Sequence, residues 1–243
     1  MKEQYREYGS ILPCGGRGVR LAELTENKPL FKVGGKELIR YSIDILKPEI
    51  VKRLVLAVDY KADEIRQWAA LSQLPYILHF SEQTEPGVLA AIVAGINYIS
   101  EDSVVICNAD EIRFGFNLAD VIRFHENQGT LATMVTTYTD RLYRHRVIEI
   151  RERDNIVLKT RLKPEEHRGD PEKIGLINTG FLILEQRAFD HFDSDHNRDW
   201  GGIINPLCAK GQLSAYVNKK IVYFNVGTPK EYLEAEEYLK QNS

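Results

Sequence analysis

The sequence predicts an α/β fold: a Rossmann-like, mixed, mainly parallel sheet flanked by helices, with an inserted antiparallel portion. Three observations predict it. Apolar strand-like runs alternate with helical spacings through the first half of the chain, the pattern of right-handed crossovers. The run "SVVIC" at Ser103–Cys107 is apolar throughout, as central parallel strands are. The second half is less regular and brings mostly strand-like runs.

Taken in order, Tyr8–Pro13 reads as the first strand. Glu37–Leu46 places Leu38, Ile39, Ile43 and Leu46 at helical spacing. Val51–Val58 is a second strand, Lys61–Leu71 a helix and Tyr76–Phe80 a third strand. Val88–Ile99 ("VLAAIVAGINYI") reads as a buried helix before Ser103–Cys107. Strands follow at Thr130–Thr137, Val147–Ile150, Ile156–Lys159, Leu176–Leu184, Leu213–Val217 and Ile221–Phe224. Pro229–Lys240 closes the chain as a helix, with Thr228 as N-cap and Pro229 at its first position. There is no internal repeat, low-complexity tract or linker, so residues 1–243 are expected to form one domain.

The 243 residues are 43% hydrophobic and 28% charged, enough for a sizeable core. A net charge of −3 argues against a nucleic-acid or anionic-membrane partner. Cys14, Cys107 and Cys208 are too few and too scattered for a disulfide framework, and the first two read as buried thiols. The polar start "MKEQYREYGS" lacks the apolar core of a signal peptide, and no apolar stretch is long enough to span a bilayer. A cytoplasmic location is therefore expected, and a symmetric dimer is the default oligomer.

The glycine-rich stretch after the first strand is neither of the two named phosphate loops. A Walker A loop fails because Leu30 and Glu37 stand where glycine and a hydroxyl are required. A dinucleotide fingerprint begins at Gly16-Arg17-Gly18 but ends on Leu21. Its chemistry still suits an anion. Gly15, Gly16 and Gly18 let backbone N–H groups close on a ligand, Arg20 supplies a donor fork, and Lys28 beside Pro29 adds a compact charge. The loop follows a strand at its carboxyl end, where ligands of open α/β sheets bind. The glycines alone fit a surface turn equally well.

Asp110, in "VVICNADEI", lies at a second strand's carboxyl end. A carboxylate there can hold a Mg²⁺ that bridges phosphates, or simply cap a helix.

Together these stretches resemble the sugar-phosphate nucleotidyltransferases. The family pattern is roughly a strand, then G-G-x-G-T-R-L, then L-T-x-x-x-P-K-P-L-x-x-V-x-G-K-P-L-I; here it reads "CGGRGVRLAELTENKPLFKVGGKELI". "EQTEPGVLAA", "NADEI", "RLKP", "INTGFLIL" and "FNVGTPKEYLEA" resemble the later family segments, in the family's order and over nearly the whole chain. The resemblance implies a nucleotide-binding part over about 1–128 and an acceptor-binding part over about 129–243, with Mg²⁺ as cofactor. The substrates would be a nucleoside triphosphate and a small phosphorylated acceptor. It implies Cys14, Gly15, Gly16, Gly18, Gln83 and Gly87 as nucleotide-binding residues, and Arg20, Lys28 and Asp110 as the catalytic set. Asp110 and Asn225 would hold the metal, and Arg146, Lys163 and Asn178 would face the acceptor. The expected reaction transfers a nucleoside monophosphate to the acceptor and releases pyrophosphate. The acceptor phosphate is already an anion near neutral pH, so positioning and charge neutralisation suffice without a general base.

Several positions depart from the family. Asn225 replaces the second metal-binding Asp, which should lower metal affinity. Val19 replaces Thr, Asn27 replaces the first Pro of P-K-P, and "EPGVLAA" lacks the usual Gly-Thr. Leu162 replaces a Glu, and Arg146 replaces a Gly beside the sugar. Arg146 reads either as a solvated arginine or as an extra anion contact. These acceptor-side losses imply an atypical acceptor: a heptose 1-phosphate, a cyclitol phosphate, or an amino-alcohol or amino-acid phosphate. A homologue that binds nucleotide or sugar phosphate without turnover is the alternative, favoured by Asn225 alone. "DHFDSDHNRDW" (Asp190–Trp200) matches no zinc spacing and reads as a polar surface loop.

Overall fold

The computed structural model describes residues 6–83, 85–141, 145–161, 174–193 and 198–242. In chain order its strands are β1 (Tyr8–Pro13), β2 (Lys32–Val33), β3 (Lys36–Glu37), β4 (Val51–Val58), β5 (Ile77–Glu82), β6 (Ser103–Cys107), β7 (Glu111–Phe114), β8 (Ala132–Thr139), β9 (Val147–Arg151), β10 (Ile156–Arg161), β11 (Gly175–Glu185), β12 (Leu213–Val217) and β13 (Val222–Asn225). The helices are α1 (Leu38–Ile43), α2 (Ala62–Leu71), α3 (Val88–Ile96), α4 (Leu118–Gln128), α5 (Trp200–Ala209) and α6 (Pro229–Gln241). The expected α/β class holds, with a parallel Rossmann-like sheet and a largely antiparallel portion.

The chain divides into two compact units, Met1–Arg113 with Tyr223–Ser243, and Phe114–Val222. The sequence reading grouped everything after about residue 128; the closing segment instead returns to the first unit. Its reason is long-range pairing. β13 adds to β7, and the backbone N–H of Gly34 donates to Glu236 of α6 at 2.5 Å.

In the first unit β5, β4, β1 and β6 lie in that order, and their pairings are parallel. β1 is central, and all of it but Pro13 is buried. α3 packs on β1, β4 and β5. Gly95 permits that approach, because a Cβ there would sit 2.8 Å from Ile11 Cγ2. The β2–β3 hairpin turns on Gly34 (φ 58°) and Gly35 (φ 77°), a turn needing two left-handed residues. The "GGK" stretch is thus a hairpin turn.

In the second unit the order is β11, β8, β12, β10, β9. β12 runs parallel to β8, and the other pairings are antiparallel. Two helices here went unread in the sequence. α4 carries ordinary signals: Asn117 Oδ1 accepts from Ala119 N at 3.0 Å, and Gly129 ends it at φ 66°. α5 was masked by Gly201, Gly202 and Pro206, all poor helix formers; burial of Ile203, Ile204 and Leu207 outweighs that propensity. "DHFDSDHNRDW" is therefore loop only in part. His191 ends a 3-10 turn, Asp199 caps α5, and residues 194–197 lie outside the described region.

Gly115 gives a direct test of the second unit's packing. Its φ is 85°, and a Cβ would fall well inside contact distance of the Lys220 carbonyl oxygen. Gly115→Ala should cost about 2–4 kcal/mol, combining left-handed strain with a backbone clash, read as a lower urea midpoint at unchanged slope.

Candidate functional site

β1 and β6 are neighbours, so their carboxyl ends open side by side. The chain leaves β1 through Cys14, whose N–H donates to Ala57 O at 2.7 Å and whose thiol donates to Leu12 O at 3.2 Å. Burial, then the Asp110 and Cys107 charges, push the Cys14 thiol up, and burial does the same to Cys107. Neither is a nucleophile; both are the buried thiols expected.

The three loop glycines do different work. Gly15 is buried where a Cβ would lie 2.8 Å from Asp59 Cβ and 2.9 Å from Gln83 Cδ, so its bareness lets Gln83 close over the loop. Gly16 is exposed with open space beside it. Gly18 is left-handed at φ 60° and opens a 3-10 turn, Val19–Leu21, that buries Leu21 as its anchor. A Cβ on Gly18 would come within 3.0 Å of Lys28 Cβ, so the loop lies against the lysine.

Lys28 begins the second 3-10 turn, Lys28–Leu30, with Pro29 inside it. Asn27, the departure from proline, is buried, and its Nδ2 donates to Glu64 of α2 at 2.9 Å. Lys61 pairs with both Glu26 and Glu64, so the turn is clasped to α2.

Lys28 Nζ forms an ion pair with Asp110 Oδ2. The lysine side chain is 10% exposed and the aspartate 34%, so the carboxylate still meets solvent. Burial pushes the Asp110 carboxyl up, but the Lys28 charge, its hydrogen bond and Arg113 outweigh this and hold it below the usual carboxylate range.

Arg20 and Asn225 meet around Gly227. A Cβ on Gly227 would be 3.2 Å from each of Arg20 Nη2, Asn225 Oδ1 and Glu231 Oε2. The Val226 N–H donates to Asp110 O at 3.2 Å, which ties β13 to the Asp110 turn. Thr228 and Glu231 cap α6: Glu231 N donates to Thr228 Oγ1 at 3.3 Å, and Glu231 Oε2 accepts from Gly227 N at 3.0 Å.

Beneath these residues lies a network that the sequence reading missed. Glu111, 3% exposed, pairs through Oε2 with Arg113, also 3% exposed. Glu111 Oε1 accepts from Tyr223 OH at 2.7 Å and Asn225 Nδ2 at 3.4 Å. Arg113 Nη1 also donates to Ser42 Oγ at 3.4 Å and the Glu111 carbonyl at 3.3 Å. Burial pushes the Glu111 carboxyl up while the Arg113 guanidinium pulls against it. The legible signal was "DEIR": Glu111 and Arg113 sit two apart on a strand, hence on one face.

A Mg²⁺ ion fits this donor set only with help. Asp110 offers a carboxylate and Asn225 a neutral Oδ1, and among the described residues no group of three His, Cys, Asp or Glu could hold a metal. Mg²⁺ characteristically takes one or two protein oxygens and completes its shell with phosphate oxygens and water, so the residues fit a metal that arrives with a phosphorylated ligand.

The structure thus gathers Cys14, Gly15, Gly16, Gly18, Lys28, Gln83 and Asp110 around the ends of β1 and β6, with Arg20 and Asn225 around Gly227. Gly87 is exposed and precedes α3 with φ 121°. The acceptor candidates belong to the second unit. Arg146 is 10% exposed at its side chain, which corrects its reading as a solvated arginine. Its Nη1 donates to Thr160 Oγ1 at 3.1 Å and Asn205 Oδ1 at 3.4 Å, and Nη2 lies 3.9 Å from Asp199. Asn178 is in β11 at a register irregularity, with Oδ1 accepting from Gly180 N at 3.0 Å. Lys163 and Leu162 lie outside the described residues. No helix among the described residues is long and apolar enough to cross a membrane.

Gly15→Ala should separate the loop's closeness from its charge. The added methyl must displace Gln83 or Asp59, so we expect a loss of about 1–3 kcal/mol in unfolding free energy.

Comparison with known proteins agrees with this architecture. The chain is 27% identical over 232 residues to a probable mannose-1-phosphate guanylyltransferase of Oryza sativa subsp. japonica, an alignment covering 92% of this chain and 62% of the rice protein. It thus spans less than two thirds of that relative's length. It is 24% identical over 226 residues to the D-glycero-alpha-D-manno-heptose 1-phosphate guanylyltransferase of Campylobacter jejuni, covering 92% of this chain and 96% of the other. Among solved structures, HddC from Yersinia pseudotuberculosis, crystallised with GMP-PN, superposes with a TM-score of 0.73 at 22% identity, covering 95% of this chain and 99% of that one, and so shares the fold. The nucleotidyl transferase family model matches residues 10–242. With nearly the whole chain matched, this protein belongs to the nucleotidyl transferase family.

Proposed function

We propose that the chain is an enzyme that transfers a nucleoside monophosphate from a nucleoside triphosphate to a small phosphorylated acceptor, releasing pyrophosphate. The observation that carries the reading is the Lys28–Asp110 pair at the carboxyl ends of β1 and β6, beside the glycine loop.

In this reading the Gly15–Gly18 backbone receives the triphosphate, and Arg20 donates to its oxygens. Lys28 neutralises charge building at the α-phosphate. An acceptor phosphate oxygen attacks the α-phosphorus, a new P–O bond forms, and the α–β bridge breaks with its electron pair leaving on pyrophosphate. Mg²⁺, held by Asp110 and Asn225, would add charge neutralisation on the phosphates when bound. Lys163, Asn178 and Arg146 are the candidate acceptor contacts that the family resemblance implies. The named relatives act on mannose 1-phosphate and a heptose 1-phosphate, which supports a sugar 1-phosphate or a close analogue. Their guanylyl chemistry favours GTP. Arg146, largely withdrawn from solvent and held by Thr160 and Asn205, stands where the family has glycine, and this favours an acceptor other than an ordinary hexose. A homologue that binds without turnover is the second reading, resting on Asn225.

A matrix of nucleoside triphosphates against sugar, cyclitol and amino-alcohol phosphates, scored by pyrophosphate release, tests the reading. Turnover with at least one pair is expected; best turnover with glucose 1-phosphate or mannose 1-phosphate would rule out the atypical acceptor, and none with any pair would favour binding alone. Lys28→Ala should lower turnover by about 10²-fold or more with circular dichroism unchanged, since Asp110 is open enough to be solvated when its partner is lost. Asp110→Ala should lower turnover as far and also lower the urea midpoint, because it leaves the withdrawn Lys28 without its counter-charge.

A further inference from the structure

The amide at position 225 is already engaged on one side. Glu111 Oε1 is an acceptor, so the edge of Asn225 that faces it at 3.4 Å must be the Nδ2 donor edge. The opposite atom, Oδ1, then borders the space beside Gly227, together with Arg20 Nη2. Glu111 itself has no freedom to turn. Its Oε2 is held by Arg113 and its Oε1 by Tyr223 OH, and the residue is 3% exposed.

We infer that Glu111 is a positioning residue: it orients the Asn225 amide so that Oδ1 faces the ligand side, and its buried carboxylate makes an amide, rather than a second carboxylate, the fitting side chain at 225. The inference deepens the functional reading and rests on it where the ligand side is concerned; the Glu111–Asn225 coupling itself does not depend on it.

The charge distribution explains the pairing. An aspartate at 225 would set a second carboxylate oxygen against Glu111 Oε1, in the place of the Nδ2–H that now donates to it. Arg20 Nη2 borders that space as a cation. The first unit therefore carries its second carboxylate one residue after Asp110, neutralised by Arg113, with a neutral oxygen presented to the ligand. Restoring the acidic residue at 225 would not strengthen the metal site unless Glu111 were neutralised as well.

The full chain is tested with Asn225→Asp, Glu111→Gln and the double variant. Two readouts are used: the urea unfolding midpoint, and Mn²⁺ affinity by electron paramagnetic resonance with a nonhydrolysable nucleoside triphosphate present. Asn225→Asp alone should lower the midpoint and leave Mn²⁺ affinity unchanged or weaker. The double variant should bind Mn²⁺ at least tenfold more tightly than Asn225→Asp, and its midpoint should exceed that expected by adding the two single losses. Because Glu111→Gln leaves Arg113 without its carboxylate and risks misfolding, Asn225→Asp decides the matter unaided. Tighter Mn²⁺ binding in that variant at an undiminished midpoint overturns the inference, as do strictly additive midpoints in the cycle. The midpoint arm stands even if no triphosphate binds, so failure of the functional reading and failure of the coupling are told apart.

Discussion

The ion pair between Lys28 and Asp110 joins positions 82 apart in sequence and can form only where β1 and β6 are neighbours. A lysine this withdrawn from water needs a counter-charge, and the half-exposed aspartate supplies one while remaining open to solvent. Much of the first unit serves this meeting. The left-handed Gly18 lets the loop lie against Lys28, the 3-10 turn with Pro29 fixes the lysine's approach, and Asn27 clasps that turn to α2. A site so arranged holds positive charge without closing off the carboxylate, which suits a ligand carrying phosphates and a metal together.

The buried layer under the pair explains its rigidity and one departure from the family pattern. Glu111 and Arg113 neutralise each other among Ser42 and Tyr223. A buried ion pair of this kind adds little net stability, but it fixes orientation when its remaining hydrogen-bonding atoms are satisfied. Here they are, and the amide of Asn225 is one of the groups that satisfies them.

The strands were legible because apolar runs and period-two patterns are local: β1, β4, β6 and β12 match their sequence readings end to end. The candidate site was legible only in residue types: cationic Arg20 and Lys28 and the strand-end Asp110 suit phosphate chemistry, and the structure pairs Lys28 with Asp110. What escaped has a physical reason in each case. The helix read at Glu37–Leu46 is shorter, Leu38–Ile43. α5 is held by burial against its own poor propensity. The return of β13 to β7, and with it the contact of Asn225 with Glu111, is a long-range pairing no local pattern encodes. Arg146 looked like a surface arginine because only tertiary packing supplies Thr160 and Asn205 as its acceptors.

In the proposed function Lys28 and Asp110 act as one unit toward the triphosphate. A double-mutant cycle with Lys28→Met and Asp110→Asn, read as Mg²⁺–nucleoside triphosphate affinity by titration calorimetry, tests it most directly. Either change should weaken binding and the second should add little to the first, a coupling of about tenfold or more. Losses that simply multiply in the double variant would contradict it.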